Sequence, residues 1–325
     1  MEQERIQQAQ ELFGVPEEFY EEANAMVKDE EWELILAMGQ GACSVQKLKE
    51  IIEKQKLAAD PAYFIWSCYH RSIINKAMDT AEPAYEISSF YRRYPIFAQY
   101  EYYAYGKFPR EVKERLNAWD LKVYLSIHGD NVRAKMRGEE ACVHNSTFLT
   151  LEEADAFLEA HRDTIYLHAC NCKSMMYDHD RPICVCISLF AGPNSEPDRG
   201  YGEHLTLEEA KKKIREFNRK GLMQNGEDYA ICNCDGTCCY PLQMARTVGS
   251  QGFYPKSRYL IDWHEDECIS CGKCAAICNF SAFQKGADKK VRYHRELCWG
   301  CTICAPNCPK GAIHLIPKAE KEAQK

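Results

Sequence analysis

The chain has 325 residues, of which 46% are hydrophobic and 27% charged, and its net charge is −7. This length favours two or three globular domains, and the acidic balance argues against a protein whose main task is to bind nucleic-acid phosphates. No uninterrupted apolar run approaches the roughly 18 residues of a membrane helix, and the polar N-terminus MEQERIQQAQELFG has the pattern of neither a signal nor a transit peptide. We therefore expect a cytoplasmic protein without a membrane partner.

The cysteine content indicates the class of protein. There are 19 cysteines, and 17 of them lie after residue 140. In a reducing cytosol such clustering indicates metal or redox chemistry rather than a disulfide framework. We expect a cysteine-poor N-terminal domain at residues 1–140, a cysteine-rich middle domain at 141–255 and a C-terminal domain at 256–325.

The sequence of the N-terminal part predicts three consecutive helices. They are EEWELILAMGQG, CSVQKLKEIIEKQ and DPAYFIWSCYHRSIIN, with Ser44 and Asp60 placed as N-caps. AEPAYEISSF then predicts an extended segment, and three helices followed by a hairpin resemble a winged helix. DNA reading needs a basic recognition helix, whereas the third helix offers only His70 and Arg71 beside aromatic residues. We therefore expect a domain that packs against or binds a protein, a second copy of the chain included, rather than nucleic acid.

The middle part contains two segments that resemble each other. Residues 150–172, TLEEADAFLEAHRDTIYLHACNC, and residues 206–234, TLEEAKKKIREFNRKGLMQNGEDYAICNC, both open with a T-x-x-E capping box and end in C-N-C. We expect a duplicated helix–strand unit that delivers a cysteine pair at the end of each strand. A second pair follows each arm, so the candidate cluster-binding residues are Cys170, Cys172, Cys184, Cys186, Cys232, Cys234, Cys238 and Cys239.

These eight cysteines predict at least one further [4Fe-4S] cluster and would suffice for two. Zinc is an alternative, a vicinal disulfide between Cys238 and Cys239 is disfavoured by strain and by a reducing cytosol, and some of the eight are expected to be ordinary buried thiols. In the intervening segment KSMMYDHDRPIC, His179 is the candidate catalytic residue, as a non-cysteine ligand or proton donor, unless it is a plain loop histidine. His168 is expected to be structural.

The C-terminal part contains the most specific motif. Residues 268–278, CISCGKCAAIC, and residues 298–308, CWGCTICAPNC, both have the spacing C-x2-C-x2-C-x3-C. Such a pair is typical of bacterial-type ferredoxins with two [4Fe-4S] clusters, in which the fourth cysteine of each run ligates the other cluster. The predicted ligands are Cys268, Cys271, Cys274 and Cys308 for cluster 1, and Cys298, Cys301, Cys304 and Cys278 for cluster 2. Two zinc sites are the alternative, although zinc does not call for this spacing twice.

Three other residues mark the repeat. Asn279 stands where the second run has Pro309. His264 and His294 precede the two runs at equivalent positions, and we expect them to pack or hydrogen-bond rather than bind metal.

The combination of CNCKSMMYDHDRPICVC, a TLEEA helix, ICNCDGTCC and a double ferredoxin motif resembles a group of largely uncharacterised 4Fe-4S proteins of anaerobic bacteria and archaea. The resemblance covers residues 160–317. It implies an α+β protein with a helical, winged-helix-like N-terminal domain, a small α/β cysteine-rich middle domain and a C-terminal bacterial-type ferredoxin fold. The chain departs from the group where His179 and Asp235 replace expected cysteines, and Cys184 looks additional.

Taken together, these features predict a cytosolic multi-cluster iron–sulfur protein. It would transfer low-potential electrons between a redox partner, a flavoprotein or reductase, and a partner enzyme or its own middle cluster. No dinucleotide-binding or P-loop motif occurs, so NAD, ATP and flavin binding are not predicted. One alternative is a reductase whose middle cluster is the catalytic centre, and a second is a redox-responsive regulator.

Overall fold

The structure is a computed structural model that describes residues 3–177 and 182–318. It combines helices and strands in two compact units. The first comprises the described parts of Met1–Asp120, Ser174–Asp180 and Ala191–Tyr201, and the second those of Leu121–Lys173, Arg181–Phe190 and Gly202–Lys325. The three-domain division at residues 140 and 255 stays a prediction.

The first unit is mainly helical. Its helices are α1 (Gln3–Leu12), α2 (Tyr20–Met26), α3 (Asp29–Met38), α4 (Val45–Gln55), α5 (Pro61–His70), α6 (Phe90–Tyr100) and α7 (Tyr102–Gly106), and its strands are β1 (Cys43–Ser44), β2 (Ile74–Lys76) and β3 (Ala84–Ile87). The strands form an antiparallel sheet in the order β1-β3-β2. The Ser44 side chain accepts a hydrogen bond from the backbone N–H of Lys47, and Asp60 accepts those of Ala62 and Tyr63. Both predicted N-caps are thereby confirmed.

The core of the first unit contains an ion-pair network. The guanidinium of Arg71, just after α5, lies 2.7 Å from Glu31 and 2.6 Å from Glu101. The fully buried Arg93 donates to the carbonyl oxygen of Met26 and to Glu101. Glu31 and Glu101 therefore neutralise the basic side chain at the end of α5.

The second unit contains a six-stranded sheet and the segment with the double ferredoxin motif, residues 259–317, which is called the ferredoxin segment below. Its helices are the C-terminal part of α8 (Arg110–Met136), then α9 (Leu151–Ala160), α10 (Asn171–Met176, of which the first three residues belong here), α11 (Leu207–Arg219), α12 (Tyr240–Val248) and α13 (Lys273–Ile277). Its strands are β4 (Thr147–Phe148), β5 (Tyr166–Ala169), β6 (Cys184–Ser188), β7 (Glu203–His204), β8 (Met223–Gly226), β9 (Ala230–Cys234), β10 (Tyr259–Trp263), β11 (Phe283–Lys285), β12 (Val291–Tyr293) and β13 (Ile313–Pro317).

The large sheet has the order β4-β8-β9-β6-β5-β7, with antiparallel neighbours throughout. Because β5 and β9 both run antiparallel to β6, they point in the same direction. Both C-N-C motifs therefore lie at one end of the sheet, which is also the end where β6 begins with Cys184.

The two C-N-C arms are similar but not identical. Helices α9 and α11 both begin with the predicted capping box, formed by Thr150 and Glu153 in α9 and by Thr206 and Glu209 in α11. In the first arm the cysteines follow β5, and one of them lies in α10. In the second arm β8 precedes the cysteine-bearing strand, and both cysteines lie within β9.

The ferredoxin segment consists of two equivalent halves. Strand β10 pairs with β13, and β11 pairs with β12, both antiparallel. The backbone N–H of His264 donates to the carbonyl oxygen of Ala312, and that of His294 donates to Ala282 in the same way. None of the helices within residues 3–177 and 182–318 is long and apolar enough to cross a membrane.

Candidate iron–sulfur sites

The four cysteines predicted for cluster 1 line one pocket. Cys268, Cys271, Cys274 and Cys308 surround it, and its other walls include Trp263, Val291 and Ile313. Cys271 is exposed, whereas Cys274 is buried. The backbone N–H of Ser270 points at the Sγ atom of Cys268 at 3.4 Å. Burial raises the pKa of Cys274 to about 11, so binding a metal there requires loss of its proton.

The four cysteines predicted for cluster 2 line a second pocket. Cys278, Cys298, Cys301 and Cys304 surround it, with Phe280, Phe283 and Ile303 among its apolar walls. Backbone N–H groups again point at the sulfurs, with Ala282 donating to Cys278 at 3.2 Å and Gly300 to Cys298 at 3.4 Å.

Each ferredoxin pocket combines three cysteines of one run with the fourth of the other. Thiolates facing an apolar pocket, with amide hydrogens directed at sulfur, fit the ligand requirements of a [4Fe-4S] cluster. The donor set and its surroundings therefore suit two clusters, which the eight cysteines would hold.

His264 lies outside both pockets. Its Nε2 atom is 3.1 Å from Asp262, and its ring centroid is 4.6 Å from that of His314. The hydrogen bond to Asp262 raises the pKa of His264. The ligand atoms of His264, Glu267 and His314 lie within 4.8 Å of one another on the surface.

The middle cysteines converge at the shared end of β5, β6 and β9. Side-chain contacts link six of them in an unbroken series, which runs Cys172, Cys170, Cys186, Cys232, Cys234 and Cys239. The Sγ atoms of Cys234 and Cys239 are 3.2 Å apart, and Cys238 and Cys239 are both free thiols. These six residues and Cys238 are called the middle cysteine group below.

A buried ion pair lies beside this group. The Nζ atom of Lys173 is 2.7 Å from Oδ2 of Asp235 and 3.6 Å from Sγ of Cys238. Asp235 also accepts hydrogen bonds from the backbone N–H groups of Thr237 and Cys238. Sequence reasoning noted Asp235 as a departure but missed Lys173, although a lysine directly after C-N-C was the available signal.

The electrostatics of the group favour thiolates at two positions. Hydrogen bonds from Cys172 and Cys186 hold the pKa of Cys170 well below its usual value, and those from Cys232 and Cys239 lower the pKa of Cys234 to about 5. Burial lowers the pKa of Lys173, but the negative charges of Cys170 and Asp235 are among the interactions that outweigh burial and raise the pKa. Thiolates are the form that binds metal, and the lysine keeps its compensating charge.

Of the eight candidate cysteines of the middle part, Cys184 alone is exposed. His168 pairs with Cys186 but Ala169 pairs with Cys184, so β6 carries one extra residue, Val185. This bulge breaks the alternation that would otherwise put Cys184 and Cys186 on one face, and Cys184 is exposed.

Two histidines of the middle part remain. His168 contacts the carbonyl oxygen of Ala169 through Nδ1 at 3.0 Å, a local backbone contact in line with a structural role. His179, the candidate catalytic residue, lies outside the described residues.

A chain of buried amides connects the ferredoxin segment with the sheet. Asn307 donates to Asn218 at 2.6 Å, Asn218 to Gln224 at 2.7 Å, Gln224 to Asn233 at 2.9 Å, and Asn233 to the carbonyl oxygen of Val185 at 2.6 Å. Asn233 is the central residue of the second C-N-C motif. Because every member is paired, this network favours one fixed arrangement of the segments that it joins.

The comparisons with known proteins concern the C-terminal segment. Residues 262–315 match the 4Fe-4S dicluster domain family. With its two crossed four-cysteine pockets, this part of the molecule is a ferredoxin-type iron–sulfur domain that carries two [4Fe-4S] clusters. Through it the chain belongs to the family of dicluster ferredoxins.

Individual relatives support an electron-transfer role. The chain is 38% identical over 57 residues to pyruvate synthase subunit PorD of Thermotoga maritima, which is 18% of this chain and 58% of that protein. It is 35% identical over 54 residues to one component of the Na(+)-translocating ferredoxin:NAD(+) oxidoreductase complex of Acetobacterium woodii, 17% of this chain and 16% of that component. It is 32% identical over 89 residues to ferredoxin-3 of Nostoc sp., 22% of this chain and 90% of that ferredoxin.

The chain thus spans less than two thirds of the length of PorD and of the oxidoreductase component. No solved structure matches the chain.

Proposed function

We propose that the protein is a multi-cluster electron carrier in which the middle cysteine group holds a third [4Fe-4S] cluster. It exchanges low-potential electrons with a redox partner protein, a flavoprotein or reductase, through the ferredoxin segment. The observation that carries the proposal is the unbroken series of six thiols from Cys172 to Cys239 at one end of the sheet.

The redox setting of the middle site supports iron over zinc. A structural zinc site and a [4Fe-4S] cluster both take four ligands, so the argument for iron is that the same chain already carries a 4Fe-4S dicluster domain. A bound cluster would supply reversible one-electron chemistry. The chain's own residues would supply thiolate ligands, exclude water and oppose the negative charge through Lys173, which is fully buried.

Anaerobic quantification of iron and sulfide, combined with EPR, tests this proposal. We expect iron for a third cluster beyond the two of the ferredoxin segment, with its own EPR signal. The Cys234→Ala variant is expected to lose the third signal and to keep the other two, whereas Cys301→Ala should affect a ferredoxin signal. Iron for two clusters only, with zinc in the middle site, would refute the proposal.

We further propose that the first unit contains a winged-helix-like module that binds a protein. The order α3, β1, α4, α5, β2, β3, with its small antiparallel sheet, favours this assignment. Arg71 at the end of α5 is engaged by Glu31 and Glu101, while the same helix exposes Tyr63 and Trp66 to 64% and 49%. An exposed aromatic face suits a protein partner, which includes a second copy of the chain, better than DNA.

Two measurements test the module. Light scattering of the protein, alone and mixed with its redox partner, is expected to show either a homodimer or a complex with that partner. A Tyr63→Ser, Trp66→Ser variant should lose whichever of these two associations the unmodified protein shows. Saturable, sequence-specific DNA binding would instead support a redox-responsive regulator.

A second candidate function is a reductase with its catalytic centre in the middle site. The excess of thiols over the four that a cluster needs and the buried Lys173 beside Cys238 favour it. Under this alternative, protein reduced with dithionite would consume a small-molecule acceptor catalytically, and Cys238→Ser would abolish turnover while the cluster signals persist. The carrier proposal expects no such turnover.

A further inference from the structure

Two middle cysteines share an apolar core with a predicted ligand of cluster 2. Cys234 and Cys239 belong to one buried group with Cys301, Ile277 and Trp299, and Cys301 lines the cluster 2 pocket. None of the predicted cluster 1 ligands belongs to this core in the described part of the chain. Three of them lie instead, with three cluster 2 ligands, in a separate core of residues between positions 261 and 315. Of the two predicted ligand sets, that of cluster 2 therefore shares a packed core with the middle cysteine group.

At this contact Asn279 forms two hydrogen bonds, and this hydrogen-bonded contact is called the joint below. Its Nδ2 donates to the carbonyl oxygen of Gly221 at 2.9 Å, and its Oδ1 accepts the backbone N–H of Gly236 at 2.8 Å. Gly236 lies in the turn between Cys234 and Cys238, and Asn279 directly follows Cys278, a predicted cluster 2 ligand. The proline at the equivalent position of the second run has no side-chain donor or acceptor, so the departure from repeat symmetry creates this joint.

The joint is also sterically tight. A Cβ atom on Gly236 would lie 2.6 Å from the carbonyl oxygen of Asn279, closer than real side-chain carbons come. Glycine thus allows the two backbones to approach closely. The amide chain that begins at Asn307 attaches the same segment to α11 at a second point, so the spacing across the joint is held at two places.

We propose that electrons pass between cluster 2 and the middle cysteine group across this joint, and that Asn279 is a positioning residue for the transfer. The inference rests on the proposed function. In each event the donor cluster is oxidised by one electron and the acceptor cluster is reduced by one, and no bond forms or breaks. Because tunnelling through protein weakens steeply with distance, the half in packing contact provides the route.

Cluster 1 is then the end that faces an external electron donor or acceptor. Its ligand Cys271 is exposed, and the neighbouring Ile269 side chain is 58% exposed. The order of transfer is partner, cluster 1, cluster 2 and middle site.

The order is tested by EPR of the full-length, cluster-loaded protein reduced with dithionite. We expect magnetic splitting of the middle-site signal by its reduced neighbour. Cys301→Ala should abolish the splitting, and Cys271→Ala should leave it in place. Splitting that survives Cys301→Ala but disappears in Cys271→Ala would overturn the inference while the third cluster, and with it the proposed function, still stands. A middle site without iron would overturn both, and the iron content distinguishes the two failures.

The role of Asn279 is tested by replacing it with alanine, which removes the side-chain amide. In Asn279→Ala we expect a weakened splitting and a several-fold slower reduction of the middle site after rapid mixing, with iron content unchanged. Gln284→Ala is the matched control, because within the described residues the Gln284 amide donates locally, to the carbonyl oxygen of Ser281. Equal splitting and equal rates in the two variants, with both folded by circular dichroism, would contradict a positioning role.

Discussion

At the scale of single residues, Lys173 is a charged side chain that is almost completely buried. Its side chain is 1% exposed and that of its partner Asp235 is 3% exposed. A buried charge is tolerated only when it is paired. Lys173 has both Asp235 and the Cys238 sulfur as neighbours, so it can stabilise negative charge from thiolates as well as from the carboxylate.

Removing this charge is expected to destabilise the fold strongly. In Lys173→Met the carboxylate of Asp235 stays buried without its partner, which should lower the free energy of unfolding by roughly 3–5 kcal/mol. Urea unfolding under anaerobic conditions measures the change. The control is Lys220→Met, which breaks the exposed Lys220–Glu216 pair and should cost about 0.5 kcal/mol or less. Similar losses in both variants would contradict the assigned role.

Because of the bulge at Val185, we expect substitutions of two cysteines in β6 to have opposite effects on the middle site. Cys186→Ser removes a thiol at the centre of the middle group and should lower the iron content and the third EPR signal. Cys184→Ser is expected to leave both unchanged, because that side chain is exposed, unlike those of the middle cysteine group. Loss of iron in Cys184→Ser would show that the register of β6 differs from the structure.

At the scale of elements, the packing around the C-terminal half of α8 involves two histidines. His144 Nε2 lies 2.5 Å from the hydroxyl of Tyr254, and the rings of His128 and His144 are 4.9 Å apart. Burial lowers the pKa of both histidines, and the charge of His128 lowers that of His144 further. The packing is thus suited to neutral imidazoles.

This arrangement predicts an acid-sensitive stability. Because the folded-state pKa lies below the unfolded value of about 6.5, the unfolded chain takes up more protons, and stability is full above that value and falls as the pH drops below it. We expect His144→Asn to reduce the change in the free energy of unfolding between pH 7.5 and pH 5, measured by urea unfolding, by about 1 kcal/mol or less. The exposed His204 provides the control variant, His204→Asn. An unchanged pH profile in His144→Asn would refute the prediction.

At the scale of the whole molecule, solvent access differs between the cluster 1 pocket and the middle cysteine group. Cluster 1 has the exposed Cys271, whereas in the middle group Cys238 and Cys239 are 2% and 4% exposed. We expect a chelator with a mild oxidant to remove iron from cluster 1 first and from the middle site last. Time-resolved EPR checks the order, and early loss of the middle signal would contradict it.

Features set by local sequence could be predicted, and features set by strand order could not. Ser44, Asp60, Thr150 and Thr206 cap helices through neighbours a few residues away, so the motifs alone located those helix starts. The ferredoxin spacing likewise predicted the family that residues 262–315 match. The Lys173–Asp235 pair depends on bringing β5 and β9 to either side of β6, and the exposed position of Cys184 depends on a one-residue bulge. Neither leaves a periodic signal in the sequence.

The parallel direction of β5 and β9 has a consequence for biosynthesis. The ribosome releases Cys170 and Cys172 well before Cys232 and Cys234, and the two pairs meet only after β9 has added to β6. Until then the early thiols have no partners from the second arm and are exposed to oxidation. For the third cluster that we propose, assembly is therefore expected to be a late event, timed by completion of the sheet rather than by the appearance of its first ligands.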